Sequence, residues 1–259
     1  MQPDLFTSAR AGRTDAAEIL TDLEVDYSPE AVAVQCLLAL FDRLIVPDSI
    51  VDVLDPSAGS GVWPRAARVV LGRGRFPQTR PLRIHGVEIR PSEEANLASA
   101  CDTYAIGSAL GPAVRAGAPY DLIITNPPFT AFADGGWPEN FAERGLLRED
   151  GIVALYGLSQ WGQSEAAAEM LRRWPPSKQL RLGGRPQHRG DGKGDAREYC
   201  LWVWHEEMRH SAHRSRRPTW STEQLPVLPA DLRRWRPDAV PGTRPIDPSL
   251  VEMIRGRYL

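Results

Sequence analysis

The sequence predicts an α/β fold: a mostly parallel sheet with helices on both faces. Short apolar runs alternate with amphipathic stretches of helical period, the pattern of strands joined by crossover helices. Three of those runs end in residues suited to a ligand edge, Asp55-Pro56, Glu88 and Asn126-Pro127. The last two runs are joined by a long loop with no helix, which predicts one antiparallel pairing at the sheet edge.

In chain order, residues 1–26 are polar and acidic and predict a partly ordered arm. Val32, Leu37, Leu40, Phe41 and Leu44 recur at helical spacing, so 29–44 predicts a helix, with Ser28 as its cap and Pro29 in its first turn. Ile50 to Leu54 predicts a buried strand, followed by a glycine turn and a helix over 62–71. A basic loop (72–82), a strand (84–89), a helix (92–100) and a weaker strand (103–106) come next. The run 120–125, YDLIIT, predicts a strong strand that leads straight into Asn126. Gly135-Gly136 and Trp137-Pro138 predict an irregular loop, then a helix near 139–147, a strand over 151–158 and a helix over 164–174. Strands around 178–182 and 198–204 close the body at residue 205. Residues 206–259, rich in Arg, Pro and Trp, predict a tail that wraps or binds.

At 259 residues, 42% hydrophobic and 25% charged, the chain suits one globular domain with a small appendage. The net charge of −2 conceals an asymmetry. Residues 1–30 carry two Arg against seven acidic residues, whereas 172–217 carry twelve Lys or Arg against five. Local charge is what an anionic partner feels, so the second stretch is a candidate nucleic-acid surface as well as a solvated one. Cys36, Cys101 and Cys200 lie too far apart for a CxxC pair, which argues against a disulfide framework or a cysteine zinc site. His188, His205, His210 and His213 match no metal spacing, so no metal is expected. With no apolar stretch near the ~20 residues that span a bilayer, the expectation is a soluble cytoplasmic protein.

Two constellations carry chemistry. Asp55-Pro56-Ser57-Ala58-Gly59-Ser60-Gly61 follows a strand and opens a helix. Glycines there permit positive φ and close approach of a ligand to the backbone, although a plain β-to-α connection uses the same residues. No Gly-Lys-Ser/Thr follows and the GxGxxG spacing is absent, which excludes a phosphate loop and the dinucleotide fingerprint. Glu88 ends the next strand, where an acid accepts from ribose hydroxyls. In Asn126-Pro127-Pro128-Phe129 the prolines stiffen a loop just past a strand. Such a loop can aim the Asn126 side-chain carbonyl and the Pro127 backbone carbonyl at the two N–H groups of one amine. Phe129 offers a face on which a planar base stacks, worth ~1–3 kcal/mol.

Together, Asp55–Gly61, Glu88 and Asn126–Phe129 resemble the class I amino-methyltransferases of DNA, the adenine-N6 enzymes above all. Tyr27-Ser28-Pro29 is similar to that family's upstream cofactor element. Gly184-Arg185-Pro186 through Asp195, with Arg197 and the strand bearing Trp202 and Trp204, resembles the closing hairpin of small phage or prophage-type members. The resemblance spans about residues 24–205. It implies a Rossmann-like, seven-stranded sheet with one antiparallel strand and S-adenosylmethionine as cofactor. It implies a cofactor site at Tyr27, Pro29, Asp55, Pro56, Gly59, Gly61 and Glu88. Many relatives carry an acid near the end of the third strand, where this chain has Ser108, whose hydroxyl is the expected cofactor contact in its place. Asn126, Pro127, Pro128 and Phe129 are the expected catalytic residues. Arg73, Arg75, Arg80, Arg185, Arg189, Lys193 and Arg197 are the expected nucleic-acid contacts. DNA is the favoured partner; an RNA base amine and a protein glutamine are the alternatives within the same chemistry. A non-catalytic nucleic-acid-binding subunit is the alternative outside it.

Overall fold

The computed structural model describes residues 28–43, 50–72, 81–128, 141, 144–163, 165–188, 197–205, 220–234 and 245–259. Its elements are α1 (Glu30–Arg43), β1 (Asp52–Asp55), α2 (Val62–Leu71), β2 (Arg83–Glu88), α3 (Glu94–Ala100), β3 (Thr103–Ile106), β4 (Tyr120–Thr125), β5 (Leu147–Leu158), α4 (Glu165–Arg173), β6 (Lys178–Gly183), β7 (Tyr199–His205), β8 (Ser221–Val227) and α5 (Pro248–Arg257). The eight strands form one sheet in the order β3-β2-β1-β4-β5-β7-β6-β8.

Only β7 runs antiparallel, pairing with β5 on one side and β6 on the other. The expected antiparallel pair is present, but inside the sheet and not at its edge. The reason lies in the sequence YCLWVWH, every residue of which is buried: its two apolar faces enter the two core layers, which cover both faces only in the interior of the sheet. The sheet has eight strands where seven were expected, because residues 221–227, within the segment expected to be a tail, pair in parallel with β6. This outer strand is mostly exposed and contains Pro226, a residue that an edge tolerates.

Strand alternation sorts the core into two layers. Val53, Leu122, Ile124, Ile152, Ala154, Leu180 and Leu201 face a layer that includes α1, α2 and α5 residues. Leu54, Ile123, Val153, Leu155, Trp202 and Trp204 face the other, with Trp161, Met170 and Leu171. Helix α1 begins one residue later than its Ser28 cap predicts: the Pro29 carbonyl accepts from the N–H groups of Val32 and Ala33. No helix among the described residues is long and apolar enough to cross a membrane.

The edge formed by the amino ends of the parallel strands is closed by ion pairs. Asp52, 2% exposed, is bridged by Arg83 at 2.6 Å and by Arg148 at 2.8 Å. Arg148 also reaches Asp121 at 2.8 Å, and Asp121 accepts the backbone N–H groups of Val51 and Asp52. These four charges are consumed in holding strands together.

Candidate active site

The opposite edge is where β1, β2 and β4 deliver their carboxyl ends. Since β2, β1 and β4 are parallel neighbours, Asp55, Glu88 and Thr125-Asn126 arrive there together. The chain order reverses between β1 and β4, so this is also the switch point at which open α/β sheets bind ligands.

The glycine turn is fixed by four hydrogen bonds. The Ser57 N–H donates to Asp55 Oδ1 at 3.1 Å and the Ala58 N–H to the Val87 carbonyl at 2.9 Å. The Gly59 N–H donates to Glu88 Oε2 at 2.8 Å, and the Gly61 N–H to the Ala58 carbonyl at 2.8 Å. Gly59 and Gly61 both have positive φ, 51° and 76°. A Cβ on Gly61 would stand 2.6 Å from the Ala100 Cβ, so this position needs glycine on two grounds. Beneath the turn, buried Arg65 donates to the Ser60 carbonyl at 2.7 Å and pairs with Glu30 at 3.3 Å.

Asp55 is 1% exposed. Burial pushes its carboxyl up to about 7, and the Glu88 charge adds to the rise, while the Thr125 hydroxyl and the Ser57 N–H oppose it. Thr125 faces the carboxyl without closing a well-formed hydrogen bond, and Asp55 Oδ2 has no hydrogen-bond partner among the described residues. A buried carboxylate oxygen left this way is costly unless a donor or cation is supplied from outside the chain. Glu88 is buried as well, with Oε1 accepting from the Arg90 backbone N–H at 3.0 Å and its Nε at 2.8 Å.

Asn126 follows β4 half-buried, with its Oδ1 shielded from solvent; Pro127 is buried and Pro128 half-buried. The ladder pairs Thr125 with Leu155, so Asn126 and Tyr156 follow as the next residues on adjacent strands. Tyr156 belongs to a cluster that the sequence pattern does not reveal. Its hydroxyl is 2.9 Å from His188 Nε2, its ring stacks on Tyr199 at 5.4 Å, and Trp63 tilts against it at 5.5 Å. Trp63 Nε1 in turn donates to Ser28 Oγ at 3.1 Å. The upstream element, the helix after the glycine turn and the loop after β6 thus share one buried wall. No local signal could have found it, because its members come from five separate segments.

Of the expected cofactor residues, Pro29 opens α1 and is buried, and Pro56 is buried in the turn. Ser108 lies exposed after β3, its Oγ accepting from the Leu110 N–H at 3.2 Å in a local turn. Arg185 is exposed after β6 and Arg197 half-buried before β7. Tyr27, Arg73, Arg75, Arg80, Phe129, Arg189 and Lys193 lie outside the described residues.

In sequence, no family profile matches the chain, and no curated protein matches it either. In structure, it resembles a protein from Listeria monocytogenes described as a class I S-adenosylmethionine-dependent methyltransferase. The identity is 13%, the TM-score 0.52, and the match covers 95% of this chain and 76% of that one. An rRNA methyltransferase from Streptomyces viridochromogenes aligns with TM-score 0.48 and 15% identity over 72% of this chain and 88% of its own. The methyltransferase subunit of a type I restriction-modification system from Streptococcus thermophilus aligns with TM-score 0.46 and 16% identity, over 74% of this chain and 47% of that one. The first of these likenesses, with the sheet order, shows the Rossmann-like class I methyltransferase fold.

Proposed function

We propose that the chain is an S-adenosylmethionine-dependent methyltransferase that acts on an exocyclic amino group, adenine N6 in DNA. One observation carries the reading: a glycine turn with a buried, under-satisfied carboxylate and an Asn-Pro-Pro loop stand at neighbouring strand ends, on either side of the switch point.

The residues present fit that cofactor. Asp55 Oδ2 awaits a cationic or N–H-bearing group, such as the amino-acid portion of the cofactor brings. Gly59 and Gly61, both at positive φ, let the turn bend tightly at the strand end where the cofactor would lie. Glu88 would hold the ribose hydroxyls; its Oε2 accepts one bond, from Gly59, and keeps a lone pair. When bound, S-adenosylmethionine supplies an already activated methyl group, so the protein needs no strong base.

What the chain supplies is position. Asn126 Oδ1 and the Pro127 carbonyl would accept both N–H groups of the amine and leave its lone pair directed at the methyl. Holding two reactants in line and solvating charge as it develops are large catalytic terms. For a duplex substrate the base must first leave the stack, at a cost of a few kcal/mol that phosphate contacts offset.

The test is tritiated methyl transfer to DNA, RNA and protein fractions, with wild type and Asn126→Ala. Label is expected in DNA adenine, and Asn126→Ala should lower kcat roughly 10²–10³-fold, the range seen when one pre-placed polar group is removed. Cofactor affinity should stay unchanged. Label confined to RNA or protein would reassign the substrate. Near-normal transfer by Asn126→Ala would remove the clamp from the mechanism, and no heat with the cofactor in calorimetry would favour the non-catalytic alternative.

A further inference from the structure

Strand β8 runs parallel to β6, so its carboxyl end emerges at the same edge as Asp55, Glu88 and Asn126. The segment that follows, Leu228–Arg234, folds onto the loop after β6. The Gln187 N–H donates to the Arg233 carbonyl at 2.8 Å, and Gln187 and Arg234 form a parallel bridge. Arg233 is clamped by carbonyls, its Nε donating to Leu228 at 2.8 Å and its Nη1 to Arg185 at 2.9 Å. Its guanidinium lies where a Cβ on Gly184 would meet it at 2.8 Å, and Gly184 has φ +83°, so loop and segment are fitted to each other. Arg234 Nε donates to the Gln187 Oε1 at 2.9 Å.

These bonds satisfy guanidinium N–H groups without neutralising them. Among the described residues no carboxylate lies within ion-pair distance of Arg185, Arg233 or Arg234, although exposed Glu198 and Asp231 stand on the same edge. At the other edge of the sheet, Arg83 and Arg148 are both consumed by Asp52 and Asp121. Arg233 and Arg234, held by neutral acceptors at the same sheet edge as the site, and exposed Arg185 next to them present a positive surface suited to phosphate.

We infer that Arg185, Arg233 and Arg234 form a phosphate-contacting ridge, contributed largely by the carboxyl-terminal segment, that grips the nucleic-acid backbone at the same sheet edge as the amine pocket. The ridge rests on the proposed function and extends it. It gives residues 228–234 a role in holding the substrate, and it predicts contacts to backbone, not to bases. Arg233 is half-buried and braces the loop, so the exposed pair Arg185 and Arg234 is the one to change.

The test is fluorescence anisotropy of a labelled 30-base-pair DNA duplex, and of the RNA duplex of the same sequence, titrated from low to high KCl. Wild type is compared with Arg185→Gln/Arg234→Gln and with Arg172→Gln, a control on α4 whose partner is Glu169. Removing two cations from the phosphate backbone should flatten the slope of log K against log[salt] by about 1.8, at about 0.9 for each neutralised phosphate of duplex DNA. Binding should weaken alike on unrelated sequences, with cofactor affinity and the thermal midpoint unchanged, while Arg172→Gln matches wild type. The inference is overturned if the double variant keeps the wild-type slope and affinity, or if the weakening falls on one sequence only. If wild type binds neither duplex, the nucleic-acid reading falls with it; if wild type binds and methylates but the double variant is unaffected, only the ridge falls.

Discussion

Replacing Asp55 by Asn should make the protein more stable at alkaline pH and a poorer binder of S-adenosylmethionine. Burial raises the Asp55 carboxyl from its ordinary 3.8 to about 7. Between those values the folded state holds a proton that the unfolded state has released. The stability this proton provides is fully present below pH ~4 and disappears as pH rises through about 7, at ~1.4 kcal/mol per pH unit. The whole window amounts to about 4 kcal/mol. The substituted amide cannot ionise, and its oxygen still faces the Ser57 N–H, but its buried NH2 carries one more donor hydrogen than the neutral acid, at a cost of ~1–2 kcal/mol. Asp55→Asn should therefore exceed wild type by about 2–3 kcal/mol at pH ~8 and draw level with it near pH ~5. Urea unfolding of both proteins from pH ~5 to ~8 measures this, since other titrating groups cancel in the difference. Calorimetry at the alkaline end should show cofactor affinity reduced by roughly ten- to a hundredfold, the value of a hydrogen bond to a charged group. Parallel stability curves would refute the argument for a buried, under-satisfied carboxylate. Unchanged affinity would refute its use in binding.

Gly61→Ala combines a left-handed backbone with a 2.6 Å approach to Ala100, and should cost roughly 2–4 kcal/mol by chemical denaturation while abolishing cofactor binding. Arg148→Met removes the bridge between Asp52 and Asp121 at the far edge; since Arg83 and two backbone N–H groups remain, unfolding should show destabilisation of about 1–3 kcal/mol with kcat preserved.

Much of the fold is written locally. YDLIIT is a strand from Tyr120 to Thr125, as its branched apolar run predicts, and Thr103–Ile106 keeps its expected limits despite being largely exposed. Strand β5 begins four residues earlier than predicted, at Leu147. Its first residues, LRED, carry no apolar alternation and enter the sheet through the Tyr120–Leu147 pairing and the Arg148 ion pairs. Strand β8 is illegible for the same reason. STEQLPV buries only Leu225, and its membership of the sheet is decided by the exposed edge of β6. Helix α5 lies in the stretch expected to be a tail and was missed, although Asp247, which accepts the Ser249 N–H at 2.8 Å, and Pro248 in the first turn are a helix-start signal.

The glycine turn, Glu88 and Asn126 could be located in the sequence because each sits at a strand end, and strand ends are set by local pattern. What the sequence withholds is how charge is distributed over the two edges, since that depends on which strand lies beside which and in which direction. Asp52 and Asp121 belong to strands whose amino ends meet, and so they capture Arg83 and Arg148. Arg185 and Arg234 belong to strand ends 49 residues apart that meet only because β8 runs parallel to β6. The same residue type is thereby a structural clamp at one edge and an accessible cation at the other. A sheet sorted in this way holds itself together at one end, and on the proposed reading it leaves positive charge at the edge along which a polyanion would lie with a base at Asn126.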